Sequence, residues 1–244
     1  MDPAVAVVLA AGMGTRMKSD LPKVLFPVLG RPMIHYVLDA LEAAGVGRKI
    51  VVVGYRAEDV QAELAGRRGV EFALQAERLG TGHAVKMAQP RLAGHRGPVV
   101  ILAGDSPMVQ ASSLRRLLEH FAAERPACLL GTLHKADPTG LGRIVRDPAG
   151  RFAGIVEEKD ATEEQRRITE VNMSTYVFDG PELVQALDRL KNENRQKEYY
   201  LTDCPGILLA QGKRVEALPV LEAREALSIN TLDELQLVEA EMKR

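Results

Sequence analysis

The chain has 244 residues, enough to bury a full core as one large α/β domain or as a domain plus a lobe. Its 32 basic and 33 acidic residues give a formal charge of −1, which supplies no general attraction for nucleic acid or anionic membranes. The longest apolar runs have only strand length, the start carries no basic region ahead of its apolar run, and there are just two cysteines. These features predict no transmembrane helix, no signal peptide, no disulfide framework and a cytoplasmic setting.

The first half alternates. Apolar runs at 5–9, 49–53, 70–74 and 99–102 predict buried strands, and helical periodicity predicts helices over about 31–44, 57–66, 81–92 and 112–123. In the last of these, Leu114, Leu117, Leu118 and Phe121 share one face, with Ser112 or Ser113 as the expected cap. Strands alternating with helices imply parallel pairing through right-handed crossovers, and ligands at the carboxyl ends of the strands. After about residue 126 the spacing shortens. Strands are expected at 127–133, 142–146, 152–156 and 171–178, helices near 181–191 and 199–211, a strand near 214–220, and a last helix from about 231 that Asn230 would cap. The expected organisation is one domain over 1–244: a nucleotide-binding half over about 1–126, a sugar-phosphate-binding part over about 127–230, and a C-terminal helix over 231–244.

Three strand exits carry the chemistry. The first is Leu9-Ala10-Ala11-Gly12-Met13-Gly14-Thr15-Arg16, followed by Leu21-Pro22-Lys23. Its glycines let backbone N–H groups approach a phosphate chain, while Arg16 as a flat fork and Lys23 as a point charge would neutralise it. Glycine spacing alone serves an ordinary strand-to-helix connection equally well. Met17 excludes the dinucleotide fingerprint, and Thr15-Arg16 after Gly14 excludes the Walker loop. The second exit, Gln75 to Ala84, offers an amide for the edge of a planar base and Thr81 as a helix cap; a capped helix with exposed polar residues explains it as simply. The third is Gly104-Asp105, where a carboxylate could hold Mg²⁺ against phosphates or merely cap the Asp-Ser-Pro turn. In the second half, the glycines around Gly142, with Glu157 and Asn172, could line a sugar. Two adjacent tyrosines, Tyr199 and Tyr200, are conspicuous in a chain with 4% aromatics and could wall a pocket or pack a helix.

Taken together these motifs resemble the sugar-1-phosphate nucleotidylyltransferases. Gln75-Ala76-Glu77 with Leu79-Gly80-Thr81-Gly82-His83-Ala84, Asp137-Pro138-Thr139-Gly140-Leu141-Gly142-Arg143-Ile144, Ile155-Val156-Glu157 with Lys159-Asp160-Ala161-Thr162, and Glu198-Tyr199-Tyr200-Leu201-Thr202-Asp203 are similar to the uridylyltransferase domain of the bacterial N-acetylglucosamine-1-phosphate uridylyltransferases. The resemblance runs from about residue 5 to about 240. It implies an α/β, Rossmann-like, mostly parallel sheet with helices on both faces and a sugar-binding lobe. It further implies a Mg²⁺-dependent enzyme that joins UTP and N-acetylglucosamine 1-phosphate into pyrophosphate and UDP-N-acetylglucosamine, a peptidoglycan precursor.

By matching motif, Arg16 and Lys23 would be the catalytic cations. Ala10, Ala11, Gly12, Gly14, Thr15, Gln75, Gly80, Thr81 and Gly104 would hold the nucleotide. Gly142, Glu157, Asn172 and Thr202 would hold the sugar phosphate, and Asp105 and Asn230 would bind Mg²⁺. Three departures stand out. Ala103 replaces the family's usual tyrosine before Gly-Asp. Asn172-Met173-Ser174 replaces Asn-Thr-Gly, which leaves the exact sugar open. The bifunctional relatives continue into a β-helix with an acetyltransferase, and this sequence has no hexapeptide repeats; the expectation is a stand-alone or shortened uridylyltransferase without that activity. The competing expectations are another nucleotide sugar, made from glucose 1-phosphate or dTTP, and a non-catalytic nucleotide-sugar-binding protein.

Overall fold

The structure is a computed structural model that describes residues 2–14, 20–229 and 231–244. Apolar runs of strand length take the extended state because β-branched side chains fit a pleated sheet buried on both faces. The first half supplies β1 (Val5–Ala10), the short pair β2 (Pro27–Val28) and β3 (Arg31–Pro32), α1 (Met33–Ala43), β4 (Arg48–Val53), α2 (Ala57–Glu63), β5 (Val70–Leu74), α3 (Thr81–Ala88), β6 (Pro98–Ala103) and α4 (Ala111–Glu124). The second half supplies β7 (Cys128–His134), β8 (Arg143–Arg146), β9 (Phe152–Val156), α5 (Glu163–Arg166), β10 (Glu170–Asp179), α6 (Gly180–Asp188), α7 (Asp203–Ala210), β11 (Val215–Leu218) and α8 (Leu232–Met242).

Among the described residues nine strands join one sheet, whose main path runs β11-β7-β10-β6-β1-β4-β5. β5, β4, β1 and β6 pair in parallel, as the alternating pattern predicts. β10 enters antiparallel between β6 and β7, and β11 then pairs parallel to β7. The second half therefore extends the same sheet, and the β8–β9 hairpin joins it where Val171 pairs with Arg143.

Alternation along β1 divides the core. Val5 and Val7 face one layer with α3, α6 and α7, which contribute Val85, Leu187 and Leu208. Ala6, Val8 and Ala10 face the other, where α1 and α4 contribute Ile34, Leu38, Leu41, Leu114, Leu117 and Phe121. Each such large side chain, fully withdrawn from water, contributes about 1.5–3 kcal/mol. A third, smaller cluster joins Val28, Met33, Met108 and Ile229 to Val238 of α8. Among the described residues no helix is long and apolar enough to cross a membrane.

Three expected caps are not the ones used. Gln110 precedes α4 without a side-chain cap bond, and the Ser113 hydroxyl instead donates to Glu225 at 2.5 Å. Burial outweighs capping there, because an enclosed hydroxyl and carboxyl must satisfy each other. Helix α3 starts at Thr81 behind Gly80, so the Thr81 hydroxyl is free to accept from the Leu201 N–H at 3.1 Å. Helix α8 is capped by Thr231, in a reciprocal capping box with Glu234, rather than by Asn230. The helix expected over 199–211 forms only from Asp203, because the backbone of 198–201 is committed to the turn before α3.

Candidate active site

The carboxyl ends of β1, β5 and β6 open into one cavity of about 370 Å³. It is lined by Leu9, Ala11 and Gly12 from the first exit, Lys23 and Val24, Gln75, Arg78, Gly80 and Thr81 from the second, Ala103 and Asp105 from the third, and Ser174 and Glu198 from the second half. A larger groove of about 610 Å³ lies along β11 and the β8–β9 hairpin. Its polar side chains find partners within the protein: Arg146 pairs with Glu170, Asp147 with Arg151, Lys213 with Glu182 and Arg214 with Glu124, and the His120 ring lies against Glu216. The smaller cavity is where the chemistry-bearing strand exits converge.

The first exit is shaped by backbone approach. Ala10 and Ala11 are buried, and Ala11 accepts a hydrogen bond from the Tyr55 N–H through its carbonyl. Gly14 has φ +69°, and a Cβ there would stand 3.0 Å from the Lys23 Cβ. The loop thus presses against the lysine stem, and glycine supplies both the conformation and the room. Thr15 and Arg16 lie outside the described residues, as does Asn230. Gly104 closes the third exit against β1: its N–H donates to the Leu9 carbonyl at 2.8 Å, and a Cβ would approach that oxygen to 3.0 Å.

The third exit also presents the charge. Lys23 Nζ lies 2.6 Å from Asp105 Oδ2, with both side chains partly open to the cavity. Among the described residues no group of three or more His, Cys, Asp or Glu could hold a metal by itself. A lone strand-end carboxylate facing a cavity suits Mg²⁺, which takes one or two carboxylates and fills its remaining positions with phosphate oxygens and water.

The second exit is built around Gln75, which is only 4% exposed. Its amide nitrogen donates to the Gly80 carbonyl at 3.0 Å and meets His83 Nδ1 at 3.1 Å. Among the described residues no partner holds the carbonyl end of the amide, so the group sets the turn as well as facing the cavity. Across from it, the segment Glu198–Leu201 straps the Gly80–Gly82 turn. Tyr199 N–H donates to the Leu79 carbonyl at 2.7 Å, and Gly82 N–H donates to the Tyr199 carbonyl at 2.8 Å. The Tyr199 ring stacks on His83 with centroids 6.2 Å apart. Tyr199 therefore acts through backbone and packing, the Tyr200 hydroxyl donates to Gln196, and Glu198 of the same segment lines the cavity.

Beyond the strap, three predicted sugar-side residues stand together. A Cβ on Gly142 would lie 3.5 Å from Glu157 Oε1 and 3.6 Å from Asn172 Cβ. Asn172 is buried; its amide donates to the Tyr176 hydroxyl at 2.9 Å and accepts from the Ser174 N–H at 3.1 Å. Glu157 is reached by solvent, but enclosure by surrounding protein, with the carboxylates of Asp160 and Asp203, raises its pKa above the ordinary carboxylate value; Lys159 opposes this. Desolvation raises Asp203 likewise. Thr202 sits half-buried just before α7 and makes no cap bond.

Arg78, within the second exit, and Glu198, within a quoted motif, reach the cavity although the sequence assigned neither of them a role. Arg143 was part of a quoted motif but had no assigned role. It is almost fully buried, pairs with Glu158 at 2.6 Å, and donates to the Leu141 and Arg166 carbonyls. It thereby ties the loop before β8, the turn after β9 and the end of α5 into one unit.

A fold of this order, with glycine-shaped strand exits and a carboxylate and an ammonium at the cavity, is that of a nucleotidyl-transferring α/β domain. The profile described as MobA-like NTP transferase domain matches residues 6–199, and the chain belongs to that family. Among curated relatives, the Bifunctional protein GlmU of Exiguobacterium sibiricum is 46% identical over 236 residues, covering 97% of this chain and 52% of that one. The Bifunctional protein GlmU of Halalkalibacterium halodurans is 44% identical over 244 residues, covering 100% and 53%. The chain spans about half the length of these relatives. A Bacillus anthracis protein described as a candidate glucose-1-phosphate thymidylyltransferase, solved with sucrose, has the same fold: the TM-score is 0.81 at 18% identity, covering 98% of this chain and 94% of that one.

Proposed function

We propose that this chain transfers UMP from UTP to N-acetylglucosamine 1-phosphate, giving UDP-N-acetylglucosamine and pyrophosphate. The observation that carries the proposal is one cavity bounded by the glycine loop and Lys23, the Gln75–Thr81 turn, and Asp105. The likeness to the GlmU proteins over nearly the whole chain supports the same reading.

In this reading the backbone of Ala10, Ala11, Gly12, Gly14 and Gly104 lets the nucleotide lie against the sheet end, because side chains there would collide with it. The Gln75 carbonyl and the Gly80–Thr81 turn hold the uracil and ribose. Glu157, Asn172, Gly142 and Thr202 hold the sugar. The acceptor's phosphate oxygen attacks the α-phosphorus in line as pyrophosphate leaves, so no protein nucleophile is required. Lys23, with Arg16, neutralises charge that builds on the phosphates, and positioning supplies the rest of the rate. Mg²⁺, held by Asp105 and Asn230, would supply charge neutralisation and orientation of the phosphate oxygens.

Pyrophosphate release measured across four NTPs and several sugar 1-phosphates, with and without Mg²⁺, tests the proposal. The expected result is Mg²⁺-dependent release with UTP and N-acetylglucosamine 1-phosphate above every other pair. Higher turnover with glucose 1-phosphate overturns the sugar assignment. No release from any pair overturns the enzyme assignment.

A further inference from the structure

We propose that Ser174 is a specificity-determining residue whose hydroxyl hydrogen-bonds the acceptor sugar phosphate. This rests on the reading that the cavity joins a nucleotide to such an acceptor. Strand β10 breaks its register against β7 between Asn172 and Thr175, and Ser174 sits in that break with φ +53°. A left-handed backbone is costly for a residue with a Cβ, so the loop is held there by other bonds. One is the Ser174 N–H donating to Asn172 Oδ1 at 3.1 Å, which closes a tight local turn.

The consequence is the direction of the side chain. In a regular strand, alternation would continue the pairing of Tyr176 with Ile101, and a step of two residues would set Ser174 opposite Ala103. The break instead leaves Ser174 exposed at the cavity, where it joins Ala103, Asp105 and Lys23 in the lining. Ala103 is small and leaves space beside it. The Ser174 hydroxyl has no hydrogen-bond partner in the protein among the described residues, although its own N–H does. A hydroxyl is both donor and acceptor; Ser174 lines the same cavity as the Lys23–Asp105 pair, and its backbone N–H is bonded to Asn172, two residues away. That position matches the end of the acceptor that carries both phosphate and ring oxygens, not the base of the nucleotide. A neutral hydrogen bond of this kind changes affinity by about threefold to tenfold.

Two variants separate the hydroxyl from the backbone. Ser174→Ala removes the hydroxyl and keeps the Cβ at positive φ; Ser174→Gly removes both and suits that φ. The measurement is KM for the acceptor, KM for UTP and kcat, using the full chain and whichever sugar 1-phosphate the substrate matrix identifies. The expected result is an equal rise of about threefold to tenfold in acceptor KM for both variants, with UTP KM and kcat within about twofold. Unchanged acceptor KM in both variants overturns the proposal. A rise in Ala alone also overturns it, because it assigns the effect to backbone strain. A different acceptor in the wild-type matrix overturns the N-acetylglucosamine reading while the same two variants still decide the role of Ser174, and an absence of turnover with any pair overturns both.

Discussion

Replacing Gly80 by alanine tests how the turn before α3 is built. Gly80 has φ +102° and ψ 175°, a region that only glycine occupies readily, and forcing alanine into it costs about 1–3 kcal/mol. The new Cβ would stand 2.6 Å from the Tyr199 carbonyl oxygen, 2.9 Å from Glu198 Cβ and 3.0 Å from the Tyr199 nitrogen. Two of those three atoms are backbone, so the strap must lift. Lifting it breaks the Tyr199-to-Leu79 and Gly82-to-Tyr199 hydrogen bonds, at about 1 kcal/mol each. The sum is about 3–5 kcal/mol. Gly212→Ala is the matched control, with φ +73° and nothing within 4 Å of the added carbon, so it carries only the backbone cost of about 1–2 kcal/mol. At about 2–4 °C per kcal/mol for a chain of this size, thermal melts should show a Tm drop of about 6–20 °C for Gly80→Ala and about 2–8 °C for Gly212→Ala. KM for UTP should rise at least about tenfold in the first and stay unchanged in the second. Equal Tm losses in the two variants would refute the strap as the constraint on the turn.

Asp105→Ala should abolish Mg²⁺-dependent pyrophosphate release while leaving Tm within about 4 °C, since the carboxylate is partly exposed and pairs only at the cavity; surviving metal-dependent activity contradicts the assignment. Arg143→Met should cost about 2–4 kcal/mol in urea titrations, because the Leu141 and Arg166 carbonyls and Glu158 lose a buried donor together; a loss under about 1 kcal/mol would show that the clamp is dispensable. Glu157 has a folded-state pKa above its unfolded value, so the folded state binds more protons between those two values and stability falls as pH rises through that window. Glu157→Gln should therefore be more stable than the wild type at pH 7, with the difference fading below about pH 4; a Gln variant less stable at pH 7 reverses the sign and rejects the argument.

The strands and helices of the first half were legible because each obeys a local period. β5 is found at the expected residues, β1 and β4 are longer by one residue at one end, and β6 by one residue at each end. The strand exits with their glycines, Gln75 and Asp105 were legible for the same reason, since turn chemistry follows short-range sterics. Capping was less legible. Ser113, Thr81 and Thr231 each offered a hydroxyl, and only the tertiary partners Glu225 and Leu201 decided that the first two would not cap their helices.

Sequence by itself therefore determined the alternating α/β core, the family resemblance and the residue types at the cavity. Tertiary structure decided the antiparallel insertion of β10 between β6 and β7, because strand order depends on which edges meet after collapse and leaves no periodic trace. It decided that the Tyr199 backbone straps a turn nearly 120 residues earlier in the chain, a link made by N–H and carbonyl groups that every residue carries. It also decided the direction of Ser174: a break in register turns that side chain into the cavity, and register is a property of two strands together.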